Sequence, residues 1–233
     1  MKLGIMQPYF FPYLGYWQLM GAVDTYVIYD DVAFIKNGWI NRNRILINGA
    51  PGYFNLPTVG AGSFVLINAV RLSPEKKLFD KLLKTVDNAY RKAPFFSETM
   101  PVVEAIVRCG AVLMSDLLEL QIRTIAEHLS MNTRILLSSK DVPKDTELRG
   151  ENKVLDICAN LGATEYYNAI GGTALYDKET FAARNIKLSF LSTDDIVYRQ
   201  YRNEFVPGLS IIDVLMFNGK DTTKVFLKKY SLV

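Results

Sequence analysis

The sequence predicts an α/β fold, a mainly parallel sheet with an inserted or appended helical region, and three observations predict it. Short apolar runs bounded by turn residues alternate with helical periodicity at both ends of the chain. Residues 74–131 interrupt that alternation with successive helical stretches and no strand signal between them. The 233 residues, 49% hydrophobic and 22% charged, suffice for one sizeable core with a helical annex and have an ordinary globular composition. The chain accordingly divides into 1–73, the first half of a Rossmann-like α/β domain with an edge hairpin; 74–131, the annex; and 132–233, the second half.

"KLGIM" reads as a buried strand ended at Gln7-Pro8, Tyr13 to Ala22 as a short helix, and "TYVIYD" as a second strand. A right-handed crossover makes the two strands parallel. "NRILING" and "PGYFNLP" flank the turn cluster Asn48 to Gly52 and read as a hairpin on the sheet edge. Three annex helices follow, "PEKKLFDKLLKTVDNAY", "SETMPVVEAIVRC" and "LMSDLLELQIRTIAEHL". Then come "TRILLSS" as strand, "ENKVLDICANLG" as helix stopped at Gly162, "TEYYNAI" as strand and "DKETFAARN" as helix. "IKLSFLS" is the expected last strand, and "GLSIIDVLMFNG" a closing helix ended at Asn218-Gly219, with Ser210 as N-cap.

Ligands of such sheets sit beyond the carboxyl ends of the strands. Gln7 to Tyr9, Asp30 to Lys36, Ser138 to Lys140 and Asn168 to Gly172 each follow an expected strand, which puts Gln7, Tyr9, Asn168 and Gly171 on one rim.

A net charge of +3 marks no general polyanion binder, and no DNA partner is expected. Cys109 and Cys158 suit two reduced, buried thiols rather than a disulfide framework or a zinc site. The first residues lack a signal-peptide pattern and no apolar run approaches a membrane span, so a cytoplasmic location is expected. GxGxxG, GxxxxGK[ST] and GxSxG are absent, and His128 is the only histidine, which leaves acid-base chemistry to carboxylates, tyrosines, lysine or the substrate.

Asp30 and Asp31 follow the second strand, where adjacent side chains diverge; they could bind a metal, hold an ammonium group or act as a base. "FIKNGWINRNR" offers the cations Lys36, Arg42 and Arg44, the amides Asn41 and Asn43, and the flat face of Trp39. On a strand, Asn41 and Asn43 share one face and Arg42 and Arg44 the other. In the first turn, Tyr9 and Tyr13 precede Gly15 at a helix start, a backbone able to hold a phosphate. This layout resembles nucleotidylyltransferases with an HxGH motif, but Tyr13-Leu14-Gly15-Tyr16 stands where the histidines would be. Tyr198, Gln200 and Arg202 alternate along an extended run ahead of the last helix and could return to the same rim.

The long "MQPYFFPYLGYWQLMGAVDTYVIYDDVAFIKNGWINRNRILING" motif, Tyr90 with "KAPFF", and "FVPGLSIIDVLMFNG" together resemble the WbqC-like family from end to end, and bring Asp213 and Asn218 inside matching motifs. That family is encoded among genes for bacterial surface polysaccharides. The resemblance implies an N-acyl or aminoacyl transferase, with glycyl as a candidate group, acting on the amine of a nucleotide-linked amino sugar for O-antigen and lipopolysaccharide.

On that expectation the base lies near Trp39, Asn41 and Asn43. The phosphates lie near Arg42 or Lys36 and the first helix, and the amine near Asp30 or Asp31. Asp30, Asp31 and Lys36 are the candidate catalytic groups. No cofactor or metal is assigned, but an activated donor is required: an aminoacyl-tRNA, an acyl carrier or an adenylate. A tRNA would meet Lys76, Lys77, Lys81, Lys84, Arg91 and Lys92 on the first annex helix. A non-catalytic nucleotide-sugar binding protein and a divergent nucleotidylyltransferase are the alternatives, and self-association is left open.

Overall fold

A computed structural model describes residues 1–201 and 204–233. Its first half contains β1 (Lys2–Met6), α1 (Leu14–Gly21), β2 (Thr25–Ile28), β3 (Arg42–Ile47), β4 (Ala50–Asn55), β5 (Thr58–Val59), β6 (Arg71–Leu72) and the annex helices α2 (Lys76–Tyr90), α3 (Phe96–Val107) and α4 (Met114–His128). The second half adds β7 (Arg134–Leu137), α5 (Ser138–Asp141), α6 (Gly150–Asn160), β8 (Glu165–Ala169), α7 (Lys178–Ala182), β9 (Lys187–Thr193), α8 (Ile211–Phe226) and β10 (Tyr230–Leu232).

Six strands form the central sheet in the order β10-β9-β8-β1-β2-β7. All neighbours pair in parallel except β10, which runs antiparallel to β9. The strands therefore fill outward from β1, first to β2 and β7, then on the other side to β8 and β9. All five parallel strands end on one rim. Side chains alternate across the sheet as the pleat requires: Val27 joins the core under α6 and α7, whereas Tyr26 and Ile28 join the larger core under α1, α8 and the annex. The annex helices, the β3–β4 hairpin and α8 share that larger core.

Several elements depart from expectation. The hairpin is a separate two-stranded sheet, not an edge of the central one. Its turn is as expected, with Asn48 at φ 51° and Gly49 at φ 81°, the two positive values of a type I′ turn. The hairpin packs instead between the annex and the segment after β1: the Leu46 amide donates to the Tyr90 hydroxyl at 2.9 Å, and the Phe54 ring centroid lies 5.1 Å from that of Phe10. β9 is not the last strand, because β10 caps the edge.

The closing helix breaks at Gly219, as Asn218-Gly219 suggests, but resumes to Phe226. Gly219 has φ 66°, and a Cβ there would lie 2.6 Å from the Phe95 ring, so glycine alone fits the kink. Cys158 is buried but Cys109 is exposed, against the expectation of two buried thiols. No described helix is long and apolar enough to cross a membrane.

Candidate functional site

The segment after β1 is held by its own carbonyls. The Tyr16 hydroxyl donates to Gln7 O and the Gln121 amide to Tyr9 O. The Asn43 amide donates to Phe10 O at 3.0 Å and Phe11 O at 2.8 Å, and the Ser210 hydroxyl also reaches Phe11 O. Trp17 Nε1 and the Ile211 amide donate to Pro12 O. Phe11 sits at φ 42°, a left-handed conformation that a bulky residue adopts only when its surroundings enforce it. Gln121 Oε1 completes the clamp by accepting the Phe11 amide at 2.8 Å. Phe10, Phe11, Tyr16 and Trp17 are thereby core residues, while Tyr9 and Tyr13 stay half-buried on the rim side.

Beyond β2 the two aspartates diverge. Asp30 is 1% exposed and ties β2 to the start of α5: Ser139 N donates to Oδ1 at 2.9 Å and Ser139 Oγ to Oδ2 at 2.6 Å. Burial raises its pKa above the ordinary carboxyl value, more than the Ser139 bonds lower it. Asp31 turns toward α6. Lys153 Nζ lies 3.1 Å from Asp31 Oδ2 and Lys144 Nζ 3.2 Å, with the lysine side chains only 6% and 5% exposed. Burial pushes the Asp31 carboxyl up, but Ser138, Lys153 and Lys144 outweigh it and hold the group below its ordinary value. Two cations thus converge on one carboxylate. Asp31 Oδ1 and Ser138 Oγ are buried beside one another, with no further hydrogen-bond partner among the described residues.

Tyrosines line the same rim. Lys153 lies 5.3 Å from the Tyr29 ring centroid. Burial raises the Tyr29 pKa, Asp31 and Tyr176 raise it further, and Arg149 lowers it, so these four groups sense one another. Tyr9 is likewise raised by burial and by Tyr13 and Tyr176. The rim therefore gathers Tyr9, Tyr13, Tyr29, Asp31, Lys144, Arg149, Lys153 and Tyr176, a cluster of cations, one carboxylate and phenol rings that act on one another electrostatically.

The other expected site residues are distributed differently. Gly15 is dictated by packing: a Cβ would lie 2.6 Å from the Tyr13 ring and 2.8 Å from Thr193 Oγ1. Asn168 is 4% exposed and donates to the Tyr166 hydroxyl at 2.8 Å. The neighbouring Gly171 is exposed, with open space where a Cβ would be. Gln7 is half-buried at the end of β1. Asn43 is 3% exposed, its amide committed to the Phe10–Phe11 loop. Asn41 is half-buried and its carbonyl accepts the Leu56 amide, so the two amides do not form one open face.

Trp39 and Tyr53 stack on the outside of the hairpin with centroids 6.3 Å apart, flanked by Arg44 over Trp39 and Arg42 over Tyr53. Arg42 also donates to the carbonyls of Asn37 and Gly38, and Lys36 is exposed nearby. Asp213 is completely buried, accepting from Tyr90 at 2.8 Å, Tyr198 at 2.7 Å and Gln200 at 2.6 Å; burial raises its pKa. Asn218 donates to Val214 O within α8. Arg202 lies outside the described residues. No group of three His, Cys, Asp or Glu side chains placed to hold a metal occurs among the described residues.

The cations of the rim escaped the sequence reading. Lys144 and Arg149 belong to the β7–α6 connection and Lys153 to the first turn of α6. The available signal was "KDTELRGENK", a charge-rich segment with three cations entering a helix just beyond a parallel strand.

Fold and rim together define an α/β protein with a cluster of lysines, an aspartate and tyrosines at the carboxyl ends of its parallel strands. The chain belongs to the WbqC-like protein family, whose profile matches residues 7–225. An uncharacterised protein of Mycobacterium tuberculosis, Rv1507c, is similar to it, with 27% identity over 236 residues, covering 94% of this chain and 95% of the relative. No solved structure matches.

Proposed function

We propose that the chain is an N-acyl or aminoacyl transferase that modifies the amine of a nucleotide-linked amino sugar for O-antigen synthesis. The observation that carries this reading is the Asp31–Lys144–Lys153 cluster on the rim. Two lysines against one carboxylate leave a net positive charge at the rim for a sugar diphosphate. The strand order supports a nucleotide ligand: β7-β2-β1-β8-β9 is the outward order of Rossmann-like sheets, whose ligands lie at the switch between β1 and β8. Tyr9 and Tyr176 follow those two strands and offer faces for a base or sugar.

In the reaction, the neutral amine attacks the donor carbonyl, the C–N bond forms and the bond to the donor's leaving group breaks. The amine proton departs with the leaving group or through water. Asp31, held anionic, orients the amine rather than serving as a strong base; positioning supplies most of the acceleration. The same low basicity favours a second reading, a nucleotide-sugar binding protein without catalysis.

The test is incubation with UDP- and dTDP-linked amino sugars plus glycyl-tRNA, carrier-bound glycine or glycyl adenylate, read by mass spectrometry. The transferase reading expects the sugar nucleotide to gain one acyl residue with one of these donors. Tight binding without a mass gain under any donor supports the binding protein. Release of pyrophosphate from a nucleoside triphosphate and a sugar phosphate supports a nucleotidylyltransferase.

A further inference from the structure

We propose a second ligand site, in the annex, for an amphiphile: an unbranched acyl chain ending in an anionic group. A cavity of about 790 Å³ opens between β6, the start of α2, the end of α3 and the turn before α4. That volume is typical of small-molecule sites. It shares no residue with the rim cluster, and the proposal does not rest on the transferase reading.

Its interior is apolar: Leu72, Val107 and Leu117 are buried at its walls, and Phe79 is half-buried beside them. Val59 and Val112 border it while 53% and 56% exposed, apolar surface that a chain would remove from water. The charge at the same cavity is one-sided. Arg71, Lys76 and Arg108 line it against a single carboxylate, Asp80, which pairs with Arg108 at 2.7 Å. Arg71 and Lys76 are exposed and have no ion-pair partner among the described residues. An apolar trough with two uncompensated cations complements an aliphatic chain with a carboxylate or phosphate head. It does not suit a neutral lipid or a cation.

Cys109 lies between the lining residues Arg108 and Gly110 and is exposed, whereas Cys158 is buried, so a thiol-reactive fluorophore reports at this site without added cysteines. The test is titration of the labelled full chain with n-alkanoates and n-alkyl phosphates of increasing length, below their micelle concentrations, with acetate and inorganic phosphate as chainless controls. The proposal expects saturable binding that tightens roughly three- to fourfold per added methylene until the cavity is filled. The chainless controls should not bind. The charge reversal Arg71→Glu with Lys76→Glu should weaken alkanoate and alkyl phosphate binding at least tenfold and favour n-alkylammonium ions instead, with an unchanged circular dichroism spectrum. A preference between the two head groups identifies the source of the ligand, and either preference supports the site. Absence of saturable binding, affinity independent of chain length, or affinity unmoved by the charge reversal overturns it.

Discussion

Lys153, in the first turn of α6, donates through Nζ to Asp31 Oδ2 at 3.1 Å and to the Asp31 carbonyl oxygen at 3.0 Å, pinning the end of β2 to the crossover helix. Lys153→Met keeps most of the packing volume but leaves the carboxylate with Lys144 alone. The expected cost is about 1–3 kcal/mol of stability, below that of an entirely unpaired buried charge. Urea denaturation measures it, and an unchanged midpoint would refute the pairing.

The pH dependence of the same pair has a definite sign. The folded pKa of Asp31 lies below its ordinary value near 3.8, so its contribution is present above that pH and fades as pH falls through the lower folded value. Asp31→Asn removes the contribution at every pH. The melting-temperature gap between wild type and Asp31→Asn should therefore be widest near neutrality and narrow below about pH 4. Asp213, raised by burial, is common to both proteins and cancels in the difference, whereas Asp30, raised by burial and further by Asp31, is relieved in Asp31→Asn and narrows the gap somewhat near neutrality. A gap constant from pH 7 to pH 3 would contradict the ion pairing.

Asn43→Ala should destabilise the fold by about 2 kcal/mol, because Phe10 O loses its donor and Phe11, at φ 42°, one of its three restraining hydrogen bonds. Asn43→Asp should be at least as harmful, since a carboxylate cannot donate to either carbonyl. Thermal melts of the two variants decide between this structural role and a ligand-reading one, which would lower affinity without lowering the melting temperature.

Gly15→Ala separates packing from phosphate binding. Its Cβ would press on Tyr13 and on Thr193, whose hydroxyl donates to Gln18 at 2.7 Å, at an expected cost of about 1–3 kcal/mol. Lost stability, partly recovered by adding Tyr13→Ala, is the predicted result. A stable variant deficient only in ligand affinity would return Gly15 to the phosphates.

The alternation of strands and helices was legible because each apolar run is short and bounded by turn residues, as "KLGIM" and "TYVIYD" are. β10 was not, because "YSL" carries no alternating pattern and forms only against the finished edge of β9. The hairpin's turn was written in Asn48-Gly49, but its partners were not: only tertiary packing brings the Leu46 amide to the Tyr90 hydroxyl at the end of α2 and the Phe54 ring to Phe10.

At the site, Asp31 stood out beside a strand end, but a polar residue in an aromatic motif reads the same whether it meets a ligand or the chain's own polar groups. Asn43 and Asp213 prove to do the latter. Lys144 and Lys153 went unmarked for the converse reason, since lysine is expected in solvent and their burial depends on a carboxylate more than a hundred residues earlier.

Calorimetric titration of UDP- and dTDP-linked amino sugars into wild type, Lys153→Met, Lys144→Met and Trp39→Ala decides whether the rim cluster receives the phosphates of a sugar nucleotide. Saturable, salt-sensitive binding to wild type and Trp39→Ala, weakened at least tenfold in each lysine variant, is the expected result. Equal affinity across all four proteins, or loss confined to Trp39→Ala, would contradict it.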